Sequence, residues 1–297
     1  MHYSREEKEN MYIATAIPSL LSSIASFILI VGCMKLRSKS STTWLVIYLA
    51  ICNFIVGLAN CIPAYEFSNL CSTQGFLHAY FQNIACLTHA LIAYCLYKSF
   101  TITESNLYKR TSKIFLAIVI LTLPTGIYPL VASKFAYVGG WCAISSFNST
   151  YDETYYYVFY FMRFFCVWTS NLYVVGCYYL IVRKYKNLTE TFVEFVDNKR
   201  VIANRMLLFP LALIFCYLPI SIQRIYLEFQ TVNIELSIVC IAIVSLAGVV
   251  NCLVYGISNP SIRYRITRII MTRTTSRTGD ASSELNRDMT TEFDSYK

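Results

Sequence analysis

The sequence predicts an all-α fold: a seven-transmembrane helix bundle with its N-terminus outside and its C-terminus in the cytoplasm. Three observations carry that reading. Of 297 residues, 56% are hydrophobic and only 14% charged, whereas an ordinary soluble domain carries about 25% charged residues. Seven runs each approach the roughly 20 apolar residues that a bilayer crossing requires. The basic residues alternate from loop to loop. The segments between runs 1 and 2, 3 and 4, and 5 and 6, with the C-terminal tail, hold 19 of the 25 Lys and Arg, and the N-terminus and remaining loops hold three. Positive charge is retained on the cytoplasmic side, so this alternation sets the orientation and checks the span count. The net charge of +8 therefore reflects membrane orientation, and no nucleic-acid partner is expected. The expected location is the plasma membrane, crossed several times.

In order, residues 1–10 form an extracellular N-terminus and residues 11–257 the seven-helix domain. Its spans are 11–34, 43–65, 72–97, 114–132, 155–182, 206–227 and 236–257. The first is too long for a signal peptide and its N-terminal flank is acidic (Glu6, Glu7, Glu9), so it reads as a retained helix. After span 7, Ile262, Ile266, Ile269 and Ile270 recur at helical spacing against Arg263, Arg265 and Arg268. That pattern predicts an amphipathic juxtamembrane helix over 258–271 lying on the inner leaflet. Residues 272–297 are rich in Ser and Thr and poor in apolar residues, the composition of a disordered cytoplasmic tail.

The 12 Cys are scattered through apolar runs without a CxxC pair, which fits neither a zinc site nor a disulfide scaffold. No metal and no cofactor is expected. Two of them, Cys71 at the start of span 3 and Cys142 in the second outer loop, lie clearly on the outer side, where a disulfide persists. A bond between them is expected, the alternative being two unpaired interfacial thiols. Asn148-Ser149-Thr150, in the same loop, is a glycosylation sequon on the side where it can be used. Span 6 carries Cys216-Tyr217-Leu218-Pro219. Proline deletes a helical hydrogen bond and kinks the helix, which makes this segment the candidate switch.

Span 3 places Gln74, His78 and Gln82 at i, i+4 and i+8. A polar stripe in a membrane helix faces other helices or a water-filled cavity, so these three are candidates for ligand contact or for interhelical bonding. Ionisable residues inside spans are expensive and mark function. Arg163, about two turns into span 5, needs an anionic ligand or a carboxylate. Arg224, near the outer end of span 6, either contacts an anionic ligand or pairs with Glu228 at i,i+4. In the tail, Thr274, Thr275 and Ser276 between Arg273 and Arg277 suit a basophilic kinase.

Seven helices, an outer N-terminus, the cysteine pair, a kinked span 6 and a Ser/Thr tail together resemble a G-protein-coupled receptor. The large rhodopsin-like class matches poorly. Span 3 ends Tyr94-Cys95-Leu96-Tyr97-Lys98 without Asp-Arg-Tyr, and Asn53 stands where that class usually has an acid in span 2. The chain more closely resembles the cyclic-AMP receptor and cyclic-AMP-receptor-like family (class E). The resemblance lies in Cys71-Ser72-Thr73-Gln74-Gly75-Phe76-Leu77, Gly140-Trp141-Cys142-Ala143-Ile144, Phe215-Cys216-Tyr217 running to Gln223-Arg224-Ile225, and Tyr255 to Asn259-Pro260. Receptors for cyclic AMP itself tend to carry Trp where Tyr217 and Ala143 stand, and Asn at the place of Gln223.

The resemblance implies a receptor that binds an extracellular ligand, cyclic AMP or another small anion, and activates a heterotrimeric G protein. Kinase and arrestin-like partners would act at the tail. The alternative is a seven-helix transporter. A retinal protein is excluded, because span 7 has no Lys for a Schiff base. An enzyme is not expected either: the chain has only three His, no HExxH, and no acid deep in any span.

Overall fold

The computed structural model describes residues 4–36, 41–65, 68–101, 107–131, 135–144, 153–189, 208–229 and 234–258. Five helices, α1 (Arg5–Met34), α2 (Ser41–Asn60), α3 (Ser68–Thr101), α4 (Leu107–Val131) and α5 (Glu153–Thr189), are followed by α6 (Leu208–Phe229), α7 (Ile234–Ser245) and α8 (Ala247–Ser258). The last two are halves of one broken span, so the chain is a seven-helix bundle. Among the described residues, six helices are long and apolar enough to cross a membrane, and α6 contributes a shorter apolar stretch, Ile214–Gln223. Asn148, the segment after Ser258, and the tail residues Thr274, Thr275 and Ser276 lie outside the described residues.

Several helices outrun their apolar runs. At 1.5 Å per residue, the 34-residue α3 spans roughly 50 Å against a hydrocarbon core of about 30 Å. Helix α1 begins at Arg5, two turns before the apolar run, because Ser4 and Glu7 form a capping box. The Ser4 N–H donates to Glu7 Oε2 at 2.7 Å and the Glu7 N–H to Ser4 Oγ at 3.2 Å, satisfying two of the helix's orphan donors.

Burial on α1 is inverted relative to a helix of a soluble protein. In α1, Thr15, Ser19, Ser22, Ser23 and Ser26 are buried, while Ile13, Ile17, Leu20, Leu21, Ile24 and Phe27 are exposed. Lipid tails offer no hydrophobic drive between helices, so membrane helices pack through small and polar residues. Gly57 of α2 and Gly248 of α8 receive this face. A Cβ on Gly57 would stand 2.7 Å from the Ser19 carbonyl, and one on Gly248 2.9 Å from that of Ser22. Contacts run from α1 to α2, α7 and α8. Helix α3 packs on α2, α4 and α5, and α6 on α5, α7 and α8, closing the ring.

The seventh span breaks at Leu246, whose N–H lies 3.2 Å from the carbonyls of both Ala242 and Ile243. The Ser22 hydroxyl of α1 donates to the Ser245 carbonyl at the break. A neighbouring hydroxyl of this kind lets a broken helix persist away from water.

Between α4 and α5, β1 (Phe135–Tyr137) and β2 (Cys142–Ile144) form an antiparallel hairpin with Tyr137 opposite Cys142. Its two-residue loop is Gly139–Gly140, with φ of 61° and 97°. Positive φ at both central residues is what a type I′ hairpin turn requires. The tip enters the bundle: a Cβ on Gly140 would lie 2.3 Å from Thr15 Oγ1 and 3.0 Å from Ile241. Tyr137 donates its hydroxyl to the Lys8 carbonyl, and Tyr12 to that of Cys61. The hairpin thus covers one end of the bundle.

Candidate functional site

The Cys71–Cys142 disulfide ties the hairpin to α3, with the two Cα atoms 5.3 Å apart. One turn along α3, fully buried Gln74 reinforces that tie. Its Oε1 accepts from the Cys142 N–H at 2.8 Å, and its Nε2 donates to the carbonyls of Ala59 and Ile62 at 3.1 Å each. Both ends of the amide are therefore engaged with backbone at the end of α2 and in β2. Gln74 aligns the hairpin.

The two lower members of the stripe face a cavity. It measures about 20 Å³ and is lined by His78 and Gln82 of α3, Ser19 and Ser22 of α1, and Asn53 and Asn60 of α2, with Ser245 and Gly248 at the break. A space of that size holds one or two waters. Among the described residues, neither Asn53 Nδ2 nor Ser245 Oγ, both buried, finds a hydrogen-bond partner there. Among the described residues that line it, none is Lys, Arg, Asp or Glu.

His78 is fixed from two sides. Its Nδ1 stands 2.8 Å from Asn60 Oδ1; an amide oxygen only accepts, so Nδ1 carries the proton. Asn60 Nδ2 donates in turn to Ser19 Oγ at 3.1 Å, joining α3, α2 and α1. Against the imidazole lies Trp141, its ring centroid 4.9 Å away and its plane inclined by 14°. That is a stacked pair within the usual aromatic separation. Trp141 is buried, and it caps the cavity from the hairpin side in a cluster with Met11, Ala143, Ile220, Cys240 and Ile241.

Gln82 leads away from the cavity. Its Nε2 donates to the hydroxyl of Tyr217 on α6. Tyr217 and Cys216 are both buried, and Pro219 lies two residues beyond Tyr217 in the same helix. Having no N–H, Pro219 cannot bond the Phe215 carbonyl, and α6 is weakened there. One α6 neighbour, Gln223, donates to Ser237 Oγ of α7 at 2.8 Å. Nearer the other end, Asn251 Nδ2 of α8 lies 3.4 Å from His89 Nε2 of α3.

Of the sequence candidates, His78, Gln82 and Tyr217 come together, and Gln74 stands apart at the hairpin. Arg163 and Arg224 sit in α5 and α6, and their side chains lie outside the described residues. Trp141, Asn53, Asn60 and the α1 serines join the site without having been singled out by spacing. Their signal was present in α1, where Thr15, Ser19, Ser22, Ser23 and Ser26 follow i, i+4, i+7, i+8 and i+11.

No protein-family profile matches the sequence, and no curated protein matches it. Among solved structures, the chain is similar to squid rhodopsin, described as "Crystal structure of squid rhodopsin". The TM-score is 0.71 at 17% identity, over 96% of this chain and 88% of that one. At such identity the likeness concerns architecture alone, and it agrees with the closed ring of helices. The chain is a multi-pass membrane protein whose helices form the seven-helix fold that squid rhodopsin also has.

Proposed function

We propose that this protein is a G-protein-coupled receptor that binds an extracellular ligand at the hairpin end and activates a heterotrimeric G protein at the other. The observation that carries the reading is the Gln82–Tyr217 bond. It links a buried polar site on α3 directly to α6 two residues before Pro219. A ligand that competes for Gln82 or moves α3 releases Tyr217 and lets α6 bend about the proline.

A ligand shifts such an equilibrium only by its differential affinity for the two states. The capped cavity of about 20 Å³ is far below the roughly 300–1,000 Å³ of a ligand pocket, so in this reading a ligand enters only as the hairpin or the helices around the cavity move. The resemblance to the cyclic-AMP-receptor-like family suggests cyclic AMP or another small anion, with Arg163 and Arg224 as contacts. In this reading the N-terminus is extracellular, Asn148 is glycosylated, and the basic segment between α5 and α6 meets the G protein. A kinase at Thr274, Thr275 and Ser276 prepares the tail for an arrestin-like partner.

The broken seventh span favours a second reading, because discontinuous helices line transporter sites. Among the described residues no other span breaks in the same way, so the repeat symmetry of such transporters has no support. The test is a ligand screen, cyclic nucleotides included, on the purified chain with guanine-nucleotide exchange as readout. Acceleration by a ligand supports the receptor. Solute flux through proteoliposomes without exchange supports the transporter.

A further inference from the structure

Trp141 is an unusual cap. A loop side chain could close the bundle with an aliphatic group, yet this one lays an aromatic ring flat on an imidazole, 4.9 Å from centroid to centroid. The platform is prepared for it. The His78 ring is held by Asn60, which is held by Ser19, so its face is fixed whether or not the indole is present. The hairpin that delivers the indole is tied at the next residue, Cys142, by the disulfide and Gln74, and passes through two positive-φ glycines before Trp141.

Beneath the stack, the site is more polar than an indole needs. Asn53 Nδ2 and Ser245 Oγ line the cavity and find no partner. A donor left unsatisfied in a membrane interior is costly, and Nδ2 can be satisfied only by an acceptor, whether a water in the cavity or the ring that displaces it. Among the described residues the lining carries hydroxyls, amides and one imidazole, with no charged side chain. A ring that stacks on His78 and turns an acceptor edge inward would complement every one of these features.

We propose that the face of His78 and the cavity below it form a binding site for an uncharged planar heteroaromatic group with an acceptor on its deep edge, and that Trp141 occupies this site as a tethered placeholder. The ring site deepens the receptor reading and rests on it for its consequence in signalling; binding of the ring itself does not. A ligand carrying such a group exchanges places with the indole. Withdrawal of Trp141 from the apolar cluster it shares with Ile220, the residue after Pro219, would then accompany release of α6.

The experiment uses the full chain in lipid nanodiscs and two probes of nearly the same shape. Benzimidazole, neutral above pH 7, has a ring-nitrogen acceptor, and indole has none. Trp141→Ala should bind benzimidazole saturably and at least about tenfold more tightly than the wild-type chain, whose site is filled. Indole should bind the variant about two- to tenfold more weakly than benzimidazole, the worth of one hydrogen bond. Adding Asn53→Leu should erase that preference. A monodisperse Trp141→Ala that binds neither probe saturably overturns the proposal, as does equal binding to wild type and variant.

Should Trp141→Ala fail to fold, a chain retaining only Trp141 (Trp44→Phe, Trp168→Phe) keeps the test open. Saturating benzimidazole should shift Trp141 emission to the red, and unchanged emission overturns the proposal. Nucleotide exchange measured in parallel separates the two readings. Saturable ring binding with no exchange for any ligand retains the ring site and removes the receptor; exchange driven by a ligand without ring binding does the reverse.

Discussion

Gln82 of α3 donates its side-chain amide to the hydroxyl of Tyr217 on α6, and both residues are buried. Interhelical bonds of this kind in membranes average about 0.6 kcal/mol and reach about 1.7. Gln82→Leu and Tyr217→Phe should each lower thermal stability in detergent by an amount in that range. The double variant should lose less than the sum of the two, because the second substitution removes a bond already gone. Additive losses would show that the two side chains do not act as a pair.

The disulfide and Gln74 hold the same hairpin. Replacing Cys71 or Cys142 by Ser should reduce surface delivery or ligand response, and replacing both should be no worse than replacing one. Gln74→Leu removes three bonds to backbone and should produce the same defect with the disulfide intact, as read by thiol labelling. Wild-type behaviour of both single cysteine variants would mean that the bridge is dispensable.

Three glycines separate close packing from mere helix content. Gly57→Ala and Gly248→Ala each push a Cβ to within 3 Å of an α1 carbonyl, and overpacking of this kind costs about 1–3 kcal/mol. Gly176 in α5 has nothing within 4 Å of a built Cβ. Gly176→Ala should therefore be neutral or stabilising by up to about 1 kcal/mol. Thermal unfolding of the three variants side by side checks the α1 interface.

Much of this was legible in the sequence. Seven apolar runs and the alternation of basic loops predict the bundle, and the placement of Cys71 and Cys142 predicts the bond that the structure contains. The helix-3 stripe was visible, but the divergence of Gln74 from His78 and Gln82 was not, because Gln74's partners are backbone atoms that no spacing marks. The break at Leu246 was hidden for the same reason: residues 236–257 read as one apolar run, and the hydroxyl that stabilises the break comes from Ser22, more than 200 residues earlier. The serine stripe of α1 obeys helical spacing as clearly as the one on α3. Serine, however, is ordinary at membrane helix contacts, so its pattern alone does not announce a cavity.

Arg224 bears on the charge of the ligand. If an anionic ligand is held there, Arg224→Ala should weaken binding by about 1.5–3 kcal/mol, the value of a hydrogen bond to a charged group, or roughly ten- to 150-fold. Glu228→Gln should leave binding unchanged or strengthen it. Equal and small effects of the two substitutions, of the order of a surface ion pair at about 0–1 kcal/mol, would assign Arg224 to Glu228 instead.

The claim that the site on α3 governs α6 is tested most directly by guanine-nucleotide exchange on a heterotrimeric G protein, with the purified chain and no added ligand. With the Gln82–Tyr217 bond removed, Tyr217→Phe should raise ligand-free exchange above that of the wild-type chain at equal receptor density. Gln82→Leu should raise it to a similar level, and the double variant no further. Exchange that stays at the level of G protein alone for all four proteins, with the chains folded and inserted, would contradict the account.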